Sequence, residues 1–133
     1  MADMINQLPH YLACRPQVEP IDLTENFDFC VGNFFKYFPR AGLKEGNPKE
    51  EDLKKAINYL RREIDYLSSF PYEGCASDPI SARGLSYFYW LRAIHPYLES
   101  IFVVHNDKFI YYSNEGLRSL IERLEKMLEA KNE

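Results

Sequence analysis

Apolar positions recur along this chain mostly at the spacing of an α-helix, and in one stretch at the density of β-strands. From Asp28 to about Phe38, the residues Val31, Phe34, Phe35 and Phe38 fall on one helical face, with Asp28 or Asn26 placed to cap it. Pro39 restricts the residue before it, so this short helix is expected to end or kink there and leave through Arg40-Ala41-Gly42. The next start is marked by Asn47 as cap, Pro48 at the first helical position and Glu50 completing a capping box. Leu53, Ala56, Ile57, Leu60, Ile64 and Leu67 then form an apolar stripe opposite Lys54, Asn58, Arg61 and Asp65, which predicts an amphipathic helix of about twenty residues.

Phe70-Pro71-Tyr72-Glu73-Gly74 breaks that helix, and Asp78-Pro79 opens a third one over about 79–94. Tyr87, Phe88, Tyr89 and Trp90 cover every side of one turn of it, which predicts burial in the core or against another subunit. Ile101-Phe102-Val103-Val104 and Phe109-Ile110-Tyr111-Tyr112 are β-branched and aromatic runs on either side of His105-Asn106-Asp107-Lys108, a sequence suited to a tight hairpin turn. A last helix opens at Asn114 and Glu115, carries Leu117, Leu120, Ile121, Leu124 and Leu128 on one side, and frays at Lys131-Asn132-Glu133. At the other end, Pro9, Pro16 and Pro20 make residues 1–26 an irregular or extended arm. The sum is a mainly α fold: a compact bundle of about four helices with one short β-hairpin and an irregular N-terminal arm, in a single domain over 1–133. A lone two-stranded hairpin is marginal in water, so it is expected to pack on helices or pair with a second subunit, and a homo-oligomer built through residues 70–133 is anticipated.

At 133 residues the chain has the size of one domain, and its 46% hydrophobic and 27% charged residues exclude disorder and fibrous repeats. Sixteen basic against twenty acidic side chains give a net charge of -4, so a whole-protein grip on nucleic acid is not expected and any anion site must be a local patch. Cys14, Cys30 and Cys75 are odd in number and widely spaced, which suggests neither a disulfide framework nor a zinc site and makes a reducing cytoplasm the expected location. No apolar run approaches the roughly 18 residues of a membrane span, and Met1 to Gln17 lacks the apolar core of an export signal.

Generic catalytic signatures are missing: there is no Gly-x4-Gly-Lys-Ser/Thr loop, no Gly-x-Gly-x-x-Gly, no His-Glu-x-x-His and no Gly-x-Ser-x-Gly. What stands out is a polar row on the first helix, where Asn33, Lys36 and Arg40 lie at i, i+3 and i+7 and share a face if the helix persists past Pro39. Arginine offers a planar fork to phosphate oxygens, lysine a point charge, and the asparagine amide both donates and accepts. The second helix carries a matching flank at Asp52, Lys55, Tyr59 and Arg62. Antiparallel packing would join the two rows into a cleft with positive charge from Lys36, Arg40 and Lys55. In that cleft Tyr37 or Tyr59 would stack on a base, and Asp52 would hold a magnesium ion or a sugar hydroxyl. The bland alternatives are a solvated helix edge for the row, macrodipole stabilisation by Asp52 and core packing by the tyrosines. His10-Tyr11 and the acidic loop Glu19-Pro20-Ile21-Asp22 are aperiodic polar segments of the kind that often serve a site, although an isolated histidine is more often a surface residue. No metal triad is expected.

The order His10-Tyr11, Glu19-Pro20-Ile21-Asp22, Gly32-Asn33-x-x-Lys36-Tyr37-x-x-Arg40-Ala41-Gly42 and Glu51-Asp52-Leu53-Lys54-Lys55-Ala56-x-x-Tyr59-Leu60 resembles a family of small bacteriophage and prophage proteins. That family is a domain of unknown function that includes the nucleotide kinase of T7-like phages, an enzyme without a Walker loop. The resemblance spans about residues 9–65. It implies a nucleotide-binding protein of an infected cell, with deoxynucleoside monophosphate kinase activity using ATP and magnesium as one form of it. Its matched polar positions are His10, Asp22, Asn33, Lys36, Arg40, Asp52 and Lys55: the three cations would bind phosphates, Asp22 or Asp52 would hold magnesium and Asn33 would orient the ligand. A non-enzymatic sponge that sequesters a host nucleotide signal fits the same residues. A protein-interaction module working through the aromatic half is a third class.

Overall fold

Capping side chains set where several of the helices begin. The computed structural model describes residues 18–41, 49–69 and 74–131. After a single-turn helix, α1, Ile21–Thr24, Asp28 accepts a hydrogen bond from the Val31 N–H at 3.0 Å and starts α2, Phe29–Tyr37. The long helix α3 covers Lys49–Leu67; the cap expected for it at Asn47 and Pro48 lies outside the described residues. Ser81 accepts from the Gly84 N–H at 3.1 Å and starts α4, Ala82–Ile94, and α5, Asn114–Lys131, closes the helical set.

Five α-helices and a three-stranded antiparallel sheet make up the described fold, which is mainly helical as the periodicity predicts. The α2 and α3 stripes face each other and bury Val31, Phe34, Phe35 and Phe38 against Leu53, Ala56, Ile57 and Leu60; α5 covers the other side of α3 with Leu117, Leu120 and Leu124. Phe34, Phe35, Phe88 and Phe102 sit at the centre, with ring centroids 4.9 to 6.2 Å apart along Phe34–Phe35, Phe35–Phe102 and Phe35–Phe88.

Three features differ from the sequence expectation. Part of the arm, Ile21–Thr24, is helical: Pro20, at φ -53°, already has the backbone of a helix start, and the Glu19 N–H bonds to Asp22 Oδ2 at 3.0 Å. As expected, the α2 helix ends before Pro39; there it tightens into a 3-10 turn over Phe38–Arg40, so Phe38 stays buried and Arg40 remains on the same side of the bundle. Pro96–Ser100 form another 3-10 turn, which turns Ile101 and Phe102 into the core and delays the strand to β2, Val103–His105.

The last difference is an extra strand. The hairpin of β2 with β3, Phe109–Ser113, turns through Asn106 and Asp107, which take left-handed backbone at φ 54° and 53°, a conformation these two residue types tolerate best after glycine. A third strand, β1, Gly74–Ala76, pairs with the free side of β3, giving the order β1-β3-β2. Ile110 and Tyr112 of β3 are buried against the helices, so the instability of an isolated hairpin is met within one chain.

The α1 turn is wedged between two helices at positions that lack a Cβ. A methyl group at Gly84 would stand 2.3 Å from the Asp22 carbonyl oxygen, and one at Gly32 would stand 2.9 Å from that of Thr24. Gly32, which opens the Gly-Asn pair of the sequence row, therefore serves close backbone approach. Among the described residues no helix is long and apolar enough to cross a membrane.

Candidate functional site

The pairing of α2 with α3 sets Tyr37 in an offset stack on Tyr59: their rings are 5.9 Å apart at the centroids and 6° from parallel. Three cations gather at the Tyr37 ring. Lys36 Nζ lies 5.3 Å from its centroid, Arg40 Cζ 5.6 Å and Lys55 Nζ 5.1 Å. Two of them come from α2 and its 3-10 extension and the third from α3, so the tightening at Pro39 is what keeps Arg40 in the group. Like charges this close repel each other, and the negative face of the ring offsets part of that repulsion. Lys36 and Lys55 are exposed and Arg40 is half-buried, which leaves charged donors open to solvent.

Beside this cluster runs a groove of about 200 Å³, lined by Thr24, Phe27, Asp28, Phe29, Gly32, Asn33 and Lys36. The Asn33 amide donates back to the Phe29 carbonyl at 2.8 Å, which fixes its side chain along the groove. Phe29 is 70% exposed, and its ring meets Tyr59 edge-on at 5.9 Å. Groove and cation cluster are continuous, joined by Lys36 and by the Phe29–Tyr59–Tyr37 series of rings.

Of the residues expected at the site, Asn33, Lys36, Tyr37, Arg40, Lys55 and Tyr59 are brought together. Asp22 is turned elsewhere: its Oδ2 accepts from the Glu19 N–H and lies 3.7 Å from Arg83 Nε of α4, where it closes the α1 turn. Asp52 is on α3, one turn before Lys55, but fully buried at 0% exposure. His10 and Tyr11 lie outside the described residues. Among the described residues no three His, Cys, Asp or Glu side chains gather to hold a metal ion.

A second polar constellation has no counterpart in the sequence expectation. Glu63, buried on α3, accepts a hydrogen bond from the Tyr112 hydroxyl at 3.0 Å, and the same hydroxyl stands 3.5 Å from Oδ2 of Asp28, the α2 cap. Burial first, then the bond and the charge of Asp28, raise the Glu63 carboxyl to about 8, so it holds a proton at neutral pH. Burial likewise raises the Tyr112 phenol, with the charges of Asp28 and Glu63 acting in the same direction. The sequence does carry a signal for it: Glu63 falls inside the apolar arc between Leu60, Ile64 and Leu67, where a charged residue has no place unless it is paired. Phe29 carries a signal too: at 100° per residue it lies opposite the Val31, Phe34, Phe35 and Phe38 arc, on the face of Asn33, Lys36 and Arg40.

Residues 5–61 match a family described as a protein of unknown function, DUF3310, which is less than half of the chain. No curated protein and no solved structure matches it. The matched stretch overlaps the resemblance over 9–65 and contains Phe29, Asn33, Lys36, Tyr37, Arg40, Lys55 and Tyr59.

Proposed function

We propose that the chain binds a nucleotide on the α2–α3 face, its phosphates at Lys36, Arg40 and Lys55 and its base against the exposed ring of Phe29. The observation that carries this reading is the convergence of three cations from two elements on the single ring of Tyr37, beside a groove with an open aromatic face. Tyr37, already stacked on Tyr59, serves to assemble the cations, and Phe29 takes the stacking role expected of the tyrosines. Arginine and lysine donors around a pre-positioned ring are suited to phosphate oxygens because the ring restricts them before the ligand arrives. A magnesium ion, in this reading, arrives with a triphosphate.

The resemblance to the phage family extends the proposal to an infected cell's cytoplasm and to phosphoryl transfer from ATP to a deoxynucleoside monophosphate. Binding without transfer is the second reading, and the placement of the two aspartates favours it: Asp22 faces Arg83, and Asp52 is sealed beneath the surface. Titration calorimetry of the whole chain with deoxynucleoside monophosphates and with magnesium ATP tests the common part. Saturable binding that Arg40→Ala weakens by about 1.5 to 3 kcal/mol, the worth of a charged hydrogen bond, with an unchanged melting temperature, is the expected result. The absence of binding by any of these nucleotides overturns it. Phosphorus NMR of the same mixtures then separates the readings: a diphosphate product means transfer, and bound but unchanged nucleotide means sequestration.

A further inference from the structure

The α3 row does not end at the cation cluster. Lys55, Tyr59, Arg62 and Tyr66 follow one another at steps of four, three and four residues, which keeps them on one side of the helix. By helical rise the row is about 16 Å long. Tyr66 is 55% exposed, and Arg62 is exposed and close enough to Cys30 of α2 for its charge to act on that thiol. The row thus runs along the α2 side of α3, past Phe29. Of the acidic residues of this region, Asp65 lines the opposite groove with Arg61 and Glu125 of α5, Asp52 and Glu63 are buried, and Asp28 is taken up by the α2 cap and Tyr112, while Glu51, exposed one turn before Lys55, stands at the near end of the row.

Rings alternating with cations along an extended face, from the half-buried Tyr59 to the exposed Tyr66, suit a chain of stacked bases joined by phosphates, because every base offers a π-face and every linkage a charge. A mononucleotide that reaches Lys55, Arg40 and Phe29 is too short to extend to Arg62 and Tyr66 as well. We propose that this row extends the nucleotide site into a binding face for a short single strand of nucleic acid, about four or five nucleotides at the stacked rise of roughly 3.4 Å each. The inference rests on the nucleotide reading of the same face. It accords with the overall charge of -4, since stacking and a few local cations replace the broad positive field that a duplex needs.

Fluorescence anisotropy of the whole chain with 5′-labelled hexathymidylate, competed by thymidine monophosphate and by hexaglutamate, tests it. The hexamer should bind at least about tenfold more tightly than the monophosphate, with a log–log salt slope of about -0.7 for each phosphate neutralised. Arg62→Ala and Tyr66→Ala, both at exposed positions, should each weaken the hexamer about five- to twentyfold and leave the monophosphate unchanged, and Arg62→Ala should also lower the salt slope. If hexamer and monophosphate bind equally, or if neither distal variant affects the hexamer, this inference is overturned while the nucleotide reading stands. If neither ligand binds, both fall. Hexaglutamate competing as well as the hexamer overturns it in favour of an acidic peptide.

Discussion

The Tyr112 hydroxyl donates to Glu63 Oε2 at 3.0 Å, and through that bond the central strand of the sheet holds the middle of α3. Both partners are buried, and Asp28 at the start of α2 stands beside them, so three elements meet at one hydrogen-bonded cluster. Buried carboxyls of this kind are tolerated when protonated and hydrogen-bonded and are costly when charged.

Stability should therefore fall as the solution becomes alkaline. The folded value of Glu63, about 8, lies above the unfolded 4.5, so between the two the folded state holds a proton that the unfolded state has released. The stabilisation is fully present below the unfolded value and is lost as pH rises through about 8, with a slope of up to about 1.4 kcal/mol per pH unit for one proton. Urea unfolding from pH 5 to 9 should show this slope in the wild type, and Glu63→Gln, which keeps a neutral hydrogen-bonding group, should flatten it. An equal slope in both proteins would place the titrating group elsewhere.

His95 works in the opposite direction. It ends α4 with its ring 4.6 Å from that of Phe38, and burial first, then the charge of Lys49, lower its value to about 4 from 6.5. The unfolded state then takes up the proton first on acidification, so stability drops as pH falls from about 6.5 toward 4. In a proton NMR titration the His95 imidazole should keep its neutral chemical shift to well below pH 6; a midpoint near 6.5 contradicts the buried placement.

Gly84→Ala should destabilise the fold even though alanine is the better helix former by about 1 kcal/mol. Its new methyl would stand 2.3 Å from the Asp22 carbonyl oxygen and 2.7 Å from Ile80 Cγ2, so α1 must move away. A loss of about 1 to 3 kcal/mol in chemical denaturation is expected, in line with other overpacked sites. A gain in stability would mean that α1 is not seated on α4.

Tyr37 is a positioning residue in the proposed site, and its role is testable apart from its bulk. Tyr37→Phe keeps the ring face and should leave nucleotide affinity nearly unchanged. Tyr37→Leu removes the face that holds Lys36, Arg40 and Lys55 and should weaken binding several-fold, since each cation–π interaction at a solvent-open ring is worth about 0.5 to 1 kcal/mol. Calorimetry of the two variants decides the matter, since equal affinities would show that the ring only fills space.

Helical periodicity makes α2, α3 and α5 legible because each buries one stripe, and the Asn33, Lys36 and Arg40 row is legible because residues three and four apart share a face. What stays hidden is tertiary. Three residues such as Gly74-Cys75-Ala76 have no strand pattern of their own and become β1 only because β3 offers them a partner. Asp22 and Asp52 look alike as acidic side chains near helix starts, yet packing sends one to Arg83 on the surface and seals the other inside. Phe29 is legible as well, since the helical period sets it opposite the arc of Phe34, but that its ring meets Tyr59 is decided by the course of α3.

The outer strands β1 and β2 are three residues long, and each flanks a β3 of five. A foreign strand that approached either border would find only a few unpaired amide and carbonyl groups along it. Edge-to-edge growth into fibrils is disfavoured by this brevity alone, without the edge lysines or prolines that longer borders require. The exposed Val103 and Tyr111 side chains can therefore remain on the sheet surface without seeding aggregation.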